Sequence, residues 1–326
     1  MTIDSPPDIP DCATDAGSTR PAFSDGPPLT WGDDGGTRYA CVHIPDAGGE
    51  QLPLVVFLHG SHGGADDLYD YTSLRSKSDS YPLSGDGGPV GFAIASLQGR
   101  NLHWEGQNPA GTHFDHLYRD LGSPSGNPDI RSVDRLIETL AATGKVDPAR
   151  IYVTGWSNGA FFAQEYAAAR FTTATPGLDG PPSRIAAAAP YAGADPFAAP
   201  DDAALASCAA NPYPQTDVPI FAIHRDCDAL VPCDAAQLAA PDGGTIAPPG
   251  YAVETWLATL GTTMGDAAVQ DEIVDGSGVT VSACASSCGE ILGGLNHLHW
   301  PDGVADRGGH DHEPEMLDFL RAHPHP

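Results

Sequence analysis

The chain is predicted to fold as an α/β protein, a mostly parallel central sheet with helices on both faces. Two observations carry this. Short apolar runs alternate with helical stretches along the chain, and runs that are apolar throughout suit strands buried on both faces. In addition, Ile151-Tyr152-Val153-Thr154 leads straight into Gly155-Trp156-Ser157-Asn158-Gly159, a strand that must stop abruptly where a helix begins. In order, residues 38–44, 54–58 (L-V-V-F-L), 92–95, 151–154, 185–190, 220–224 (I-F-A-I-H) and 290–295 (E-I-L-G-G-L) are expected strands. Residues 132–143, 160–170, 251–260 and 313–321 are expected helices. The glycine- and proline-rich stretches 73–89, 99–128 and 172–183 are expected loops, and loops of this kind shape pockets. Trp104, with His103 and Tyr118, belongs to the second of them and is a candidate lining residue. A single domain over 37–326 follows, preceded by a partly irregular extension over 1–36; no internal repeat is seen.

The G-x-S-x-G corner forces the central residue into a strained backbone conformation with its side chain above the sheet. Ser157 is therefore the candidate nucleophile, and the amide of Asn158, at the new helix N-terminus, points at a developing oxyanion. An acid and a histidine should follow in that chain order, each after a later strand. The strand ending at His224 runs into Asp226-Cys227-Asp228-Ala229-Leu230-Val231-Pro232, where Asp228 is the preferred acid and Asp226 the runner-up. Beyond 290–295 comes Asn296-His297-Leu298-His299-Trp300-Pro301, which makes His297 the preferred base, with His310 and His299 as competitors. The glycine-rich turn His59-Gly60-Ser61-His62-Gly63-Gly64 closes the strand 54–58. It can supply a second oxyanion donor from the amide of Ser61, or alternatively of His62. Trp156 and Trp300 flank the candidate nucleophile and base and are expected to meet a flat acyl group, with His62 and Trp104 as further substrate contacts.

With these residues in view the chain resembles the polyhydroxybutyrate depolymerase-like esterases, an α/β-hydrolase branch that also holds feruloyl esterases and related polyester hydrolases. The residues that carry it are Leu58-His59-Gly60, the run Val146-Asp147-Pro148-Ala149-Arg150-Ile151-Tyr152-Val153-Thr154-Gly155-Trp156-Ser157-Asn158-Gly159, His224 with Asp228 to Pro232, and His297 with Trp300-Pro301. The likeness spans residues 37–322. It departs at Ala160, at Arg225 and in the spacing of His297 from Trp300, one residue longer than the group's H-x-W-P. The resemblance implies an α/β-hydrolase fold and a secreted carboxylic-ester hydrolase with Ser157, Asp228 and His297 as its triad. Its substrate would be a polyester or an aromatic, feruloyl-type ester, and a synthetic aromatic polyester is the alternative. A reading from another class is a non-catalytic polymer-binding module on a hydrolase scaffold; a fluorophosphonate, which labels only an activated serine, separates the two.

The formal charge of −28, with Lys77 and Lys145 as the only lysines, repels phosphate backbones and disfavours a nucleic-acid partner. It suits either a saline habitat or an acidic extracellular lineage. No cofactor and no metal are expected: the cysteines lack C-x-x-C spacing, and the acidic runs match no calcium loop. Seven cysteines favour an oxidising compartment, with up to three bridges and one thiol left over. Cys227 and Cys233 bracket Asp228, Cys284 and Cys288 are another close pair, and Cys12, Cys41 and Cys208 are free to claim any partner. No stretch suits a membrane span, and Met1 to Thr30 lacks the apolar core of a signal peptide. The expectation is a mature secreted form behind a start methionine, acting on an ester substrate, polymeric or small.

Overall fold

The computed structural model describes residues 12, 23–24, 26–33, 36–100, 112–116, 118, 120, 122–171, 184–198, 214, 218–224, 228, 230–231, 253, 255–256, 274–276, 279–282, 296–298, 300–302 and 311–325. The strands are β1 (Leu29–Asp33), β2 (Gly36–His43), β3 (Leu52–Leu58), β4 (Ala93–Leu97), β5 (Val146–Trp156), β6 (Ala187–Tyr191), β7 (Ile220–Ile223), β8 (Val274–Gly276) and β9 (Val279–Ser282). The helices are α1 (Asp67–Tyr71), α2 (Leu74–Ser78), α3 (Pro128–Ala141), α4 (Asn158–Arg170) and α5 (Glu313–Ala322). The strands form one sheet in the order β1-β2-β4-β3-β5-β6-β7-β9-β8. Strands β4, β3, β5, β6, β7 and β9 run parallel, β2 is antiparallel to both its neighbours, and β8 is antiparallel to β9. Order and direction are those of the α/β-hydrolase fold.

The alternation of side chains along the buried strands divides the core between the two faces of the sheet. Leu54, Val56 and Leu58 of β3 pack with Ile151, Val153, Phe162 and Tyr166 on one face. Val55 and Phe57 pack with Tyr152, Phe221, Leu317 and Phe319 on the other. Strand β5 begins at Val146, ahead of the expected 151, and its pairing with β3 shifts register between Leu52 and Leu54. Pro148 cannot donate to a ladder, and the Asp147 side chain accepts from the amide of Ala149 at 2.9 Å. The V-D-P-A-R segment is thus an irregularity within the strand rather than a loop before it.

Helix α3 starts four positions before the expected 132, because Asn127 caps it: its Oδ1 accepts from the amide of Asp129 at 2.8 Å, and Pro128 fills the first helical position. Every residue of α4 is buried. Several of its polar side chains accordingly find partners inside the protein. Arg170 donates to both carboxylate oxygens of Asp134 on α3, through Nε to Oδ1 at 2.9 Å and through Nη2 to Oδ2 at 2.6 Å, and the Tyr166 hydroxyl donates to the same Oδ1 at 3.0 Å.

Residues 73–89, expected as loop, contain α2, and the turn before them contains α1; five residues each are too few to show a helical period. The sheet begins at Leu29, ahead of residue 37, and a Cys12–Cys41 disulfide fastens the N-terminal segment to β2. The expected strand at 290–295 and most of the helix at 251–260 lie outside the described residues, as do Cys208, Cys227, Cys233, Cys284 and Cys288. The position beside β7 is taken by β9. Among the described residues no helix is long and apolar enough to cross a membrane.

Candidate active site

Strand β5 ends at Trp156, α4 starts at Asn158, and Ser157 alone makes the corner with φ 54° and ψ −118°. A side chain rarely tolerates that conformation, and it is held by bonds at both ends. The Ser157 amide donates to the carbonyl of Tyr191 on β6 at 3.0 Å, while the Ser157 carbonyl accepts from Ala160 at 2.8 Å and Phe161 at 3.1 Å. The two motif glycines are required by space. A Cβ on Gly155 would fall 2.3 Å from the oxygen of Gly159, and one on Gly159 would fall 2.1 Å from the oxygen of Leu58.

Three side chains distant in sequence meet at this corner. The Ser157 hydroxyl lies 2.7 Å from His297 Nε2, and His297 Nδ1 lies 2.6 Å from Asp228 Oδ2. A carboxylate only accepts, so Nδ1 carries the proton and Nε2 is left to accept from the hydroxyl. Asp228 follows β7 and is 2 % exposed; its other oxygen accepts from the amides of Leu230 at 2.9 Å and Val231 at 2.8 Å. Burial pushes this carboxyl up, but its bonds to His297 and Val231 and the nearby imidazoles of His224 and His297 outweigh that and hold it below the usual range. The array can therefore pass the hydroxyl proton to Nε2 beside a carboxylate that stays ionised. Of the rival candidates, Asp226, His299 and His310 lie outside the described residues.

His224, at the end of β7, is fully enclosed, and its Nε2 donates to the carbonyl of Val231 at 2.5 Å while standing 3.5 Å from Asp228 Oδ2. Burial lowers its pKa, against the raising pull of Asp228 and Val231. A neutral ring thus fastens the far side of the acid loop to the strand.

The turn after β3 sits across the corner. Gly60 approaches Ser157 so closely that a Cβ would be 3.4 Å from the Ser157 Cβ. The His59 ring is a brace beneath: Nδ1 donates to the Gly60 carbonyl at 2.7 Å and Nε2 accepts from the Gly99 amide at 2.8 Å. Burial, with the Gly60 bond opposing it and His113 assisting, lowers the His59 pKa to about 4, so the ring is neutral. Ser61 is exposed at the tip of the turn. The amide of His62 is spent on the carbonyl of Thr112 at 2.8 Å, which removes it as the alternative oxyanion donor. The His62 ring is exposed and meets His113 edge to face at 5.0 Å. The Asn158 side chain, unlike its amide, is turned to the Phe114 segment. Its Oδ1 accepts from the amide of Phe114 at 2.7 Å, and its Nδ2 donates to the Phe114 carbonyl at 3.0 Å and His116 Nδ1 at 2.9 Å.

The tryptophans correct the expectation of substrate contact. Trp300 is 0 % exposed, wedged against Phe57, Trp156 and Tyr191, and its Nε1 donates to Glu313 Oε1 at 2.7 Å. Trp156 is 8 % exposed, and its Nε1 donates to the carbonyl of His297 at 2.8 Å. Side chains along a strand point alternately to the two faces of the sheet, and Trp156 shares with Tyr152 the face that packs with Phe57, Tyr191 and Trp300. Trp104 lies outside the described residues. Apolar side chains that do reach solvent here are Tyr71, Leu230 and Leu298, exposed by 42, 50 and 51 %. Tyr71 meets the Trp156 ring at 5.8 Å, Leu298 follows His297, and Leu230 stands two residues after Asp228. Tyr71 and Leu298 give no signal in the sequence, because a lone apolar residue carries none. Leu230 stands there in an apolar pair expected to anchor the acid loop, and of that pair Val231 is buried while Leu230 is exposed.

No protein-family model matches the chain. It is similar to the "Putative esterase NocK" of Nocardia uniformis subsp. tsuyamanensis, with 26% identity over 208 residues, 63% of this chain and 49% of that protein. The chain thus spans about half the length of the curated relative that it matches. Among solved structures it is similar to pOPH in its native form, with a TM-score of 0.50 and 15% identity over 96% of this chain and 91% of that one. It is also similar to an acetyl xylan esterase from Aspergillus awamori, with a TM-score of 0.46 and 15% identity over 74% of this chain and 81% of that one. The likeness to pOPH bears on the fold alone and agrees with the α/β-hydrolase topology of the sheet.

Proposed function

We propose that this chain is a serine carboxylic-ester hydrolase that works through an acyl-enzyme. The observation that carries the reading is the bonded series Ser157 Oγ, His297 Nε2, His297 Nδ1, Asp228 Oδ2, at 2.7 and 2.6 Å, on a serine with φ 54°. The likeness to an esterase over 63% of the chain supports it. In this mechanism Ser157 Oγ attacks the ester carbonyl as its proton passes to His297 Nε2. Asp228 stabilises the imidazolium, and the amides of Ser61 and Asn158 receive the oxyanion. The imidazolium returns the proton to the leaving alcohol. Water, deprotonated by Nε2, then cleaves the acyl-enzyme, and the proton goes back to Ser157.

The substrate class we propose is an ester with an apolar or aromatic acyl part, a polyester or a feruloyl-type ester. Tyr71, Leu230 and Leu298, exposed beside the candidate triad, support an apolar partner. The Cys12–Cys41 disulfide supports secretion into an oxidising compartment. Replacing Ser157 by Ala should abolish release of p-nitrophenol from short-chain esters and labelling by a fluorophosphonate. Near wild-type turnover in that variant would remove Ser157 as nucleophile. A panel of methyl ferulate, polyhydroxybutyrate film and an aromatic polyester ranks the substrates; indifference to all three, with p-nitrophenyl acetate accepted, would sink the apolar-ester reading.

A further inference from the structure

We propose that Trp156 is a positioning residue for deacylation, acting through the hydrogen bond from its indole to the main chain of His297. The inference rests on the triad reading above. Trp156 Nε1 donates to the His297 carbonyl at 2.8 Å, joining the residue before the nucleophile to one 141 positions later. His297 sits in a single 3-10 turn, Asn296–Leu298, and its ring is held at Nδ1 by Asp228. The indole in turn is gripped by the rings of Tyr71, Tyr191 and Trp300, at 5.8, 6.4 and 6.3 Å. Trp300, three residues beyond His297, is itself tied by Nε1 to the buried Glu313 of α5.

The value of this bond changes through the cycle. In the free enzyme the Ser157 O–H donates to Nε2 and helps to hold the imidazole over the corner. Acylation moves that proton to Nε2 and on to the departing alcohol, and Oγ becomes an ester oxygen with no hydrogen to give. The Oγ–Nε2 link is then lost, whereas the indole–carbonyl bond persists. It keeps the imidazole at the distance from the elbow at which Nε2 can take a proton from the attacking water. Positional error here is felt directly in rate. The second half-reaction therefore depends on Trp156 more than the first.

The test replaces Trp156 by 3-benzothienyl-alanine, which exchanges the N–H for sulfur in a ring of the same shape, and in parallel by Phe. Stopped-flow with p-nitrophenyl butyrate is expected to show a burst of p-nitrophenol near one equivalent per active site. In steady state kcat should fall by roughly 5- to 10-fold, the usual weight of one buried hydrogen bond. KM should fall alongside it, leaving kcat/KM within about twofold of wild type. A matched loss in kcat and kcat/KM without a burst would mean that the ring only supports the fold, and overturns the proposal. Unchanged kinetics in the benzothienyl variant overturn it as well. Failure of a fluorophosphonate to label wild-type Ser157 is a separate result, which defeats the triad reading and takes this proposal with it.

Discussion

Gly159 rests against the main-chain oxygen of Leu58: a Cβ placed on it would lie 2.1 Å from that oxygen and 2.6 Å from the oxygen of His59. Both obstacles are backbone of β3 and the turn beyond it, so neither can rotate away. The first turn of α4 is thus seated directly on the strand that leads into the Gly60–Ser61 turn. Gly159→Ala should cost on the order of 3–5 kcal/mol in urea unfolding, as for other severe core strain, or prevent folding. Gly32→Ala in β1, where nothing lies within 4 Å, should stay within roughly 0.5 kcal/mol of wild type. Equal midpoints for the two variants would show that the contact between β3 and α4 is looser than described.

Asp228 predicts its own isostere's failure. Its Oδ1 faces two donors, the amides of Leu230 and Val231, so the carbonyl oxygen of an asparagine would occupy that side. The amide nitrogen would then face His297 Nδ1, which must turn acceptor and leave the proton on Nε2. With that tautomer the ring cannot accept from Ser157. Asp228→Asn should therefore lower kcat by about 10³- to 10⁴-fold with little change in melting temperature. A loss under tenfold would show that the carboxylate does not set the tautomer.

Much of this was legible in the sequence, and the reasons differ by element. Central strands such as β3 are apolar throughout because both faces are covered, so they stand out against any loop. The corner at Ser157 is legible because two glycines are sterically required there. His297 and Asp228 are approached by chain order, but bringing His297 to Ser157 depends on a turn whose flanking residues give no periodic signal. Trp156 shows the other limit: an indole beside a serine reads as a substrate platform, and only the fold reveals that its N–H is already committed to His297. The start of α3 is missed because Asn127-Pro128 closes a glycine- and proline-rich stretch that reads as loop. Strands β8 and β9, three and four residues long with Gly276 and Gly278 at their junction, are too short to show an alternation.

Asp67, at the start of α1, lies beneath the Gly63–Gly64 end of the turn after β3. Burial, aided by Asp66 and Asp70 and opposed by a backbone bond from Gly64, raises its pKa from 3.8 to about 6. The folded state thus binds this proton more tightly than the unfolded chain. Its stabilising contribution is fully present below pH 3.8 and is lost as pH rises through about 6. Asp67→Asn carries no charge to bury, so its melting temperature relative to wild type should climb between pH 5 and pH 8. A difference that stays flat across that interval would contradict the raised value.

The pairing of Lys77 on α2 with Glu313 at the start of α5 should be tested by breaking it from one side. Glu313 is 0 % exposed; its Oε2 accepts from Lys77 Nζ and the Ser73 hydroxyl, both at 2.6 Å, and its Oε1 from the Ser73 amide and the Trp300 indole. Burial raises the Glu313 pKa above 4.5 even though Lys77 and Ser73 pull it down. Lys77→Met removes the strongest opposing pull and leaves a buried carboxylate facing methylene. The cost should be about 3 kcal/mol at pH 8, the low end for a buried pair because the lysine side chain keeps 20% exposure. With the folded pKa above the unfolded one, stability is fully present below pH 4.5 and is lost as pH rises through the folded value, so the penalty should shrink toward pH 5. Adding Glu313→Gln removes the charge while its carbonyl can still accept from Ser73 and Trp300, and should recover much of the loss at pH 8. A double variant no more stable than Lys77→Met alone would show that the lysine acts through packing or its 2.7 Å pair with Asp311 rather than by neutralising Glu313.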